Sequence, residues 1–386
     1  MSLPDWFRRL PWPILICTVA LMLLGVAGIE RGDELTGLGT FRGKQLVWIA
    51  LSLPVLLAAT IPSYRRWKSV AAALYVLSVV LLVVVYAFPP KWGSRRWIPF
   101  PLMNFQPSEM AKLALILALA RYLAYRENFR QLTGLILPFL MTLIPLGLIL
   151  KEPDLGTSLL FIPVLFSMLF AAGAKPWHLG LVVLMGVLLS PILWLGMSAE
   201  QQSRVTAVFQ QQDGGDMPGG DGYHLHQSKL VLSLGGAWGS QWTGTLLDDP
   251  LAYHLPACRT DFILCMVGER FGLLGTLAAL LLYLVLYGWG LLVANRTREP
   301  FGRLVAVGIV ALLAAQTVIN TAMTVGLMPI TGITLPLMSY GGSSLLFTAT
   351  ALGLLLNIGL RPGYEITANP FRFTSRSDSK ILRSVA

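Results

Sequence analysis

Arg259-Thr260-Asp261-Phe262 closes a long polar stretch and meets the apolar run that follows it. A carboxylate at that edge costs about 2.5–3.5 kcal/mol on insertion scales unless it has partners or work to do. Asp261 is therefore the first candidate for chemistry, as a general base. Eight positions further on, Glu269 stands beside Arg270. Two helical turns separate the two acids, so they can share a face, and Arg270 is the ordinary partner expected for Glu269. A second acid–base pair lies in Gln106-Pro107-Ser108-Glu109-Met110-Ala111-Lys112. Spacing of three puts Glu109 and Lys112 on one helical face. An acid in a first turn has a plain role with the helix dipole. Lys112 sits inside an apolar run, where ionisable side chains serve function by default.

Other polar residues suit a phosphorylated ligand. In Ser94-Arg95-Arg96-Trp97-Ile98, the guanidinium forks of Arg95 and Arg96 match phosphate oxygens, with Trp97 beside them. The competing reading is interface anchoring by Trp92 and Trp97. In Pro153-Asp154-Leu155-Gly156-Thr157, Asp154 either caps the following helix or faces the same cavity as Asp261. His224, His226, His254 and Cys258 match no common zinc spacing, so no metal ligands are assigned. The segment from Met328 to Ser344 carries no charge and contains Pro329, Gly332, Pro336, Gly341 and Gly342. Uncharged irregular backbone beside a bilayer is stable only where it lines a cavity or packs on protein, which predicts a re-entrant wall. Gln316 and Asn320, one turn apart just before it, are expected to hydrogen-bond between helices.

The elements that must position these residues are apolar helices. The chain has 386 residues, 55% hydrophobic and 12% charged, with a mean hydropathy of +0.67. A soluble domain with that balance would expose large apolar patches, so the fold class is an all-α polytopic integral membrane protein. About ten runs are long enough to span, near 11–29, 45–61, 69–88, 107–124, 133–150, 156–172, 177–197, 263–294, 301–326 and 343–360. The eighth is long enough to begin outside the bilayer. Residues 1–362 form one transmembrane domain that includes a large exterior loop, 198–262, and 363–386 form a basic cytoplasmic tail. The three cysteines make no CxxC pair and predict no disulfide framework. The first run lacks a small-residue cleavage site and reads as a retained span. No internal repeat is evident.

Net charge of +10 would suggest nucleic acid in a soluble protein. Here it reflects cytoplasmic loops: with both termini inside, most of the 29 Lys and Arg fall on the cytoplasmic side. That orientation puts 198–262 outside the cell, where nucleotide triphosphates and nucleotide sugars are absent. An enzyme there must take a substrate that carries its own activation, and a lipid-linked pyrophosphate donor meets that need. No organic cofactor and no nucleic-acid partner are expected.

Taken in order, Arg95-Arg96-Trp97-Ile98, Gln106-Pro107-Ser108-Glu109 with Lys112, Pro153-Asp154-Leu155-Gly156-Thr157, Thr260-Asp261-Phe262 and Pro336-Leu337-Met338-Ser339-Tyr340-Gly341-Gly342-Ser343-Ser344 resemble the SEDS family, the RodA/FtsW-type peptidoglycan polymerases. The resemblance runs from the first span to Pro362. It implies a ten-helix fold and polymerisation of lipid II into glycan strands at the outer face of the bacterial cytoplasmic membrane. It implies catalytic roles for Asp261, Glu109 and Lys112, and substrate binding by Arg95, Arg96, Trp97, Asp154, Ser343 and Ser344. The implied partners are a class B penicillin-binding protein, elongation-complex membrane proteins and membrane lipids. Gly222-Tyr223-His224 with Gln227-Ser228-Lys229 is similar to the RodA, or elongation, branch rather than the FtsW, or division, branch. Two departures stand out: Leu255-Pro256-Ala257 where the family has Leu-Pro-Glu, and Glu269-Arg270 where it often has two glutamates. They bear on a loop carboxylate that would help hold a divalent cation such as Mg or Mn, for which Asp248 or Asp249 could substitute. The rival classes are a lipid II flippase and a scaffold. Against a flippase, the charged motifs cluster on exterior segments rather than at mid-membrane. A scaffold has little need of a carboxylate at Asp261.

Overall fold

The computed structural model describes residues 10–37, 39–90, 94–100, 104–126, 131–211, 219–244 and 253–361, with the backbone alone at 193 and 221. The basic start, Trp92, Asp248, Asp249 and the 363–386 tail lie outside the described residues.

Ten helices occupy the ten expected apolar runs. They are α1 (Trp12–Thr36), α2 (Phe41–Thr60), α3 (Tyr64–Val84), α4 (Pro107–Leu123), α5 (Leu132–Lys151), α6 (Leu155–Ala172), α7 (Pro176–Leu195), α11 (Ile263–Arg296), α12 (Pro300–Thr324) and α13 (Gly342–Leu360). Eight of the ten are long and apolar enough to cross a membrane. The exceptions are α4, at 17 residues, and α7, whose apolar stretch is Pro176–Ile192. Among the described residues, three helices belong to the 198–262 stretch: α8 (Ala199–Phe209), α9 (Asp221–Leu234) and the one-turn α10 (Ser240–Thr243). A capping box between Ser198 and Gln201 starts α8. Strands among the described residues are confined to a short hairpin, β1 (Ile98–Pro99) and β2 (Asn104–Phe105), which pairs Ile98 with Phe105 and leads into α4.

Packing explains why α4 is short. Every residue from Ala111 to Ala120 is buried, and α3, α5, α6, α12 and α13 surround it. A helix that is apolar on all sides belongs at the centre of a bundle. At 1.5 Å per residue it spans about 26 Å, and Pro107 at its first position sets where it begins. By contrast, α7 is exposed along most of its length and presents that surface to lipid.

The long eighth run divides. Gly272 interrupts α11 with φ 69 and ψ −164, a conformation only glycine adopts readily. The nine residues before it, from Ile263, are largely buried against α1 and α9. Ion pairs fasten this segment to α1. Arg31 grips Glu269 through two bonds, at 2.7 and 2.8 Å, and Arg270 reaches Glu30 at 2.9 Å. Arg270 is therefore not the partner of Glu269, in contrast to the sequence expectation. Adjacent residues on a helix diverge by about 100°, so each finds its own partner across the interface.

Candidate active site

A cavity of about 570 Å³ opens between the β-hairpin, the N-terminal ends of α4 and α6, α8 and the 328–341 loop. Residues from distant parts of the chain thus meet at one space. Arg96, Trp97, Glu109, Lys112, Asp154, Asp261, Ser343 and Ser344 all line it. Arg95 does not: its guanidinium turns away and donates to the Tyr86 carbonyl at 3.2 Å. Different backbone carbonyls hold the two arginines: Tyr86 takes Arg95, while Glu152 and Pro153 take Arg96 at the cavity wall.

The α4 and α6 wall carries paired charge. Lys112 Nζ donates to Glu109 Oε1 at 2.9 Å, and both side chains are buried. Asp154 resolves its two readings by satisfying both. It caps α6, accepting from the Thr157 amide at 3.0 Å and the Thr157 hydroxyl at 2.9 Å, and it still lines the cavity. Arg96 Nε lies 3.9 Å from Asp154 and donates to the Glu152 carbonyl at 3.1 Å. A second bond runs from Arg96 to the Pro153 carbonyl. Gly156 is required here: a Cβ would sit 2.3 Å from the Thr331 carbonyl oxygen, so α6 and the 328–341 loop meet only through a residue without a side chain.

The facing wall presents Asp261. The turn before α11 is wound tightly, with Ala257 at φ 55 and its carbonyl accepting from the amides of Thr260 (3.1 Å), Asp261 (3.0 Å) and Phe262 (3.3 Å). Asn320 donates to the carbonyls of Asp261 and Ile333, both at 2.7 Å. The Ser339 hydroxyl donates to the Thr260 carbonyl, and the Tyr340 amide to the Arg259 carbonyl at 2.9 Å. Arg259 itself points away, held by Asp33 at 2.7 Å and lying 4.6 Å over the Phe41 ring. The backbone of Asp261 is thus fixed from three sides while its carboxylate faces the cavity. Desolvation pushes that carboxyl up to about 6; the Thr260 side-chain bond and the charges of Arg204 and Arg96 pull it down, and Asp154 adds to the rise.

Two expectations need correcting. Glu269 does not join Asp261 on one face, because the residues before Ile263 are not helical and Glu269 turns toward Arg31. Gln316 and Asn320 do not bridge helices. They bond to the backbone of the neighbouring loops, Gln316 to the Thr334 carbonyl at 3.4 Å. Among the described residues no three of His, Cys, Asp and Glu gather as a cation site. Two of the cavity acids are also engaged, Asp154 by Thr157 and Glu109 by Lys112. The described donor set alone does not make a divalent-cation site, and Asp248 and Asp249 lie outside the described residues.

Residues not singled out by sequence also face the cavity: Trp48, Arg204, Thr334 and Tyr340. Arg204 carried one signal, as a single cation on a capped helix within the polar loop. The re-entrant wall itself is as expected, with Gly332, Ile333, Thr334 and Tyr340 to Ser344 on the cavity surface.

The family model described as "Cell cycle protein", which covers FtsW, RodA and SpoVE, matches residues 8–361. The chain belongs to this family of polytopic membrane proteins. A probable peptidoglycan glycosyltransferase FtsW from Geobacter sulfurreducens is 35% identical over 90% of this chain and 94% of that one. The peptidoglycan glycosyltransferase MrdB of Escherichia coli K12 is 34% identical over 82% of this chain and 84% of its own. A solved chain reported under "Structural coordination of polymerization and crosslinking by a peptidoglycan synthase complex" superposes with a TM-score of 0.76 at 30% identity, covering 91% of this chain and 97% of that one.

Proposed function

We propose that this chain is a peptidoglycan glycosyltransferase that polymerises lipid II into glycan strands, with Asp261 as the general base. The observation that carries the reading is a rigidly held, desolvated carboxylate facing Arg96, Arg204 and Lys112 across one cavity. Relatives named as peptidoglycan glycosyltransferases support the reaction class.

A sugar hydroxyl of one lipid II attacks the anomeric carbon of the growing strand. The hydroxyl proton passes to Asp261, the new glycosidic C–O bond forms, and the C–O bond to polyprenyl pyrophosphate breaks. A carboxylate whose pKa has risen to about 6 is ionised at neutral pH yet more basic than an ordinary aspartate. Negative charge develops on the departing pyrophosphate. Arg96 and Arg204 face it, and the buried Lys112 supplies a further fixed positive end, offset by Glu109. Ser343 and Ser344 offer hydroxyls to the sugar or phosphate oxygens. The cavity lies on the exterior side of the membrane, where lipid II meets the enzyme.

A class B penicillin-binding protein would cross-link the product, by analogy with the synthase complex that couples polymerisation to crosslinking. FtsW and MrdB relatives match at 35% and 34% identity, so identity does not separate the division and elongation roles. The elongation reading rests on Gly222-Tyr223-His224 with Gln227-Ser228-Lys229. Gln227 and Ser228 are buried, and Ser228 donates to the Thr324 carbonyl at 3.0 Å, so this motif docks α9 on α12.

The test uses purified protein, with and without a transpeptidase-inactive penicillin-binding partner, given labelled lipid II in detergent. Long glycan polymer from the wild type and none from a folded Asp261→Asn variant is expected. Polymer from both removes Asp261 from the mechanism. Polymer from neither turns the reading toward a flippase, which a lipid II translocation assay in vesicles would detect.

A further inference from the structure

Glu152 stands between α5 and α6, one residue past the end of α5, and is only 1% exposed. Neither of its carboxylate oxygens has a hydrogen-bond partner among the described residues. Buried acids are ordinarily paired or hydrogen-bonded, so an orphaned one asks for an explanation. Its surroundings supply one. The backbone carbonyl of the same residue already holds Arg96, the guanidinium that faces the cavity, at 3.1 Å. Asp154, two residues on, lies 3.9 Å from that guanidinium.

We propose that Glu152 is a proton-controlled positioning residue for Arg96: neutral, it leaves the guanidinium to the cavity, and ionised, it captures that charge. The inference rests on Arg96 serving the substrate pyrophosphate, as above. Among the described residues, the charged and titratable groups facing Glu152 are few. Arg96 from the hairpin arm favours its ionised form, Asp154 from the α6 cap opposes it, and the Tyr86 phenol, just past the end of α3, lies near it. Its sequence neighbour Lys151 is exposed. Burial dominates, with the charge of Asp154 adding to it, and pushes the Glu152 carboxyl up to about 8.

The sign follows. Below about pH 8 Glu152 is neutral, and Arg96 answers only to Asp154 and to backbone carbonyls. Above it, a second carboxylate arises beside one arginine. Arg96 then has two internal counter-charges, and its attraction for a pyrophosphate in the cavity falls. The proton lost goes to bulk water, and no bond to carbon changes. Glu152→Gln keeps the shape of the neutral acid and cannot ionise.

Polymerisation is measured from pH 6.5 to 9.5 for the wild type and Glu152→Gln. A wild-type rate that falls about tenfold between pH 7 and 9, as expected for a group titrating near 8, and a variant without that fall would bear the proposal out. The same alkaline fall in both proteins overturns it. Two measurements decide the matter without turnover. Infrared difference spectra should show a protonated-carboxyl band that persists to about pH 8 in the wild type and is missing in Glu152→Gln; loss of the band by pH 6 overturns the proposal. Binding of geranylgeranyl pyrophosphate should weaken through pH 8 in the wild type only; equal weakening in both overturns it. A wild type that makes no polymer at any pH counts against the polymerase reading, while the band and the binding titration still decide the role of Glu152.

Discussion

On the α4 and α6 side of the cavity each acid has a short partner. Glu109 takes Lys112 at 2.9 Å, and Asp154 takes the amide and hydroxyl of Thr157. On the opposite side the network reverses: the backbone of Asp261 is bonded by Asn320 and its neighbours by Ser339 and Tyr340, while its carboxylate faces the cavity with the adjacent Thr260 side chain against it and no charged side chain bonded to it among the described residues. Both walls are rigid, but by different means. One fixes its charges through side-chain pairs and presents a settled field. The other fixes the main chain and frees the side chain. A group that must take up and release a proton has to be held without a bonded counter-charge, because a strong ion pair would remove its basicity. The two walls divide the work accordingly.

The largest effect should come from removing the unpaired group. Asp261→Asn should lower polymer formation by about 10²–10⁴-fold, the usual contribution of a general base. Its elution profile and partner binding should persist, since the Asn320 bond is to the main chain. In the wild type the rate should rise with pH through about 6, because desolvation lifts the Asp261 carboxyl and only the ionised form accepts a proton. A rate flat from pH 5 to 7 would break the comparison.

The paired wall should fail in a different manner. Lys112→Met leaves Glu109 buried without a counter-charge, and breaking a buried pair costs about 3–5 kcal/mol. The folded yield and thermal stability should drop together with activity. Combining it with Glu109→Leu removes both charges and should restore most of the stability. If the pair serves as a field for the leaving group, activity stays low in the folded double variant. Recovery of both would make the pair purely structural.

Much of this arrangement was legible in the chain because membrane helices write themselves as long apolar runs. All ten expected runs are helices, and the uncharged 328–344 segment is the wall that its glycines and prolines implied. The cavity acids were legible too, since a charge in an apolar run is conspicuous. What the sequence concealed was direction. Arg95 and Arg96 look alike, yet only Arg96 faces the cavity, because the Tyr86 carbonyl draws Arg95 away while the Glu152 and Pro153 carbonyls hold Arg96. Glu269 and Arg270 look like a pair, yet each answers to α1. Gln316 and Asn320 look like glue between helices, yet both bind loop carbonyls. Local spacing names the groups; the partner of each depends on residues up to 240 positions away, as with Arg270 and Glu30.

A smaller effect should follow from loosening the backbone of the unpaired wall. Asn320→Ala strands the carbonyls of Asp261 and Ile333. The carboxylate then wanders from its line of attack, and displacement of that order costs about 10–100-fold in turnover. The acid limb near pH 6 should stay in place, because the cavity that desolvates Asp261 is unchanged. A shifted limb would mean that Asn320 acts on the charge rather than on position.

The smallest and most discriminating change is Asp154→Asn. Asparagine caps a helix about as well as aspartate, so α6 should keep its stability, whereas Asp154→Ala should lose about 1 kcal/mol. What the asparagine variant does lose is a negative charge that raises the carboxyl of Asp261 across the cavity. Asp261 then ionises more easily, and the acid limb of the pH–rate profile should move to lower pH. The same substitution removes a charge that raises Glu152, so the alkaline limb should move down as well. A profile that shifts at both ends, with stability unchanged, would show that the paired wall tunes the unpaired one through its field. If the limbs stay fixed, the two walls are electrically independent, and Asp154 serves α6 alone.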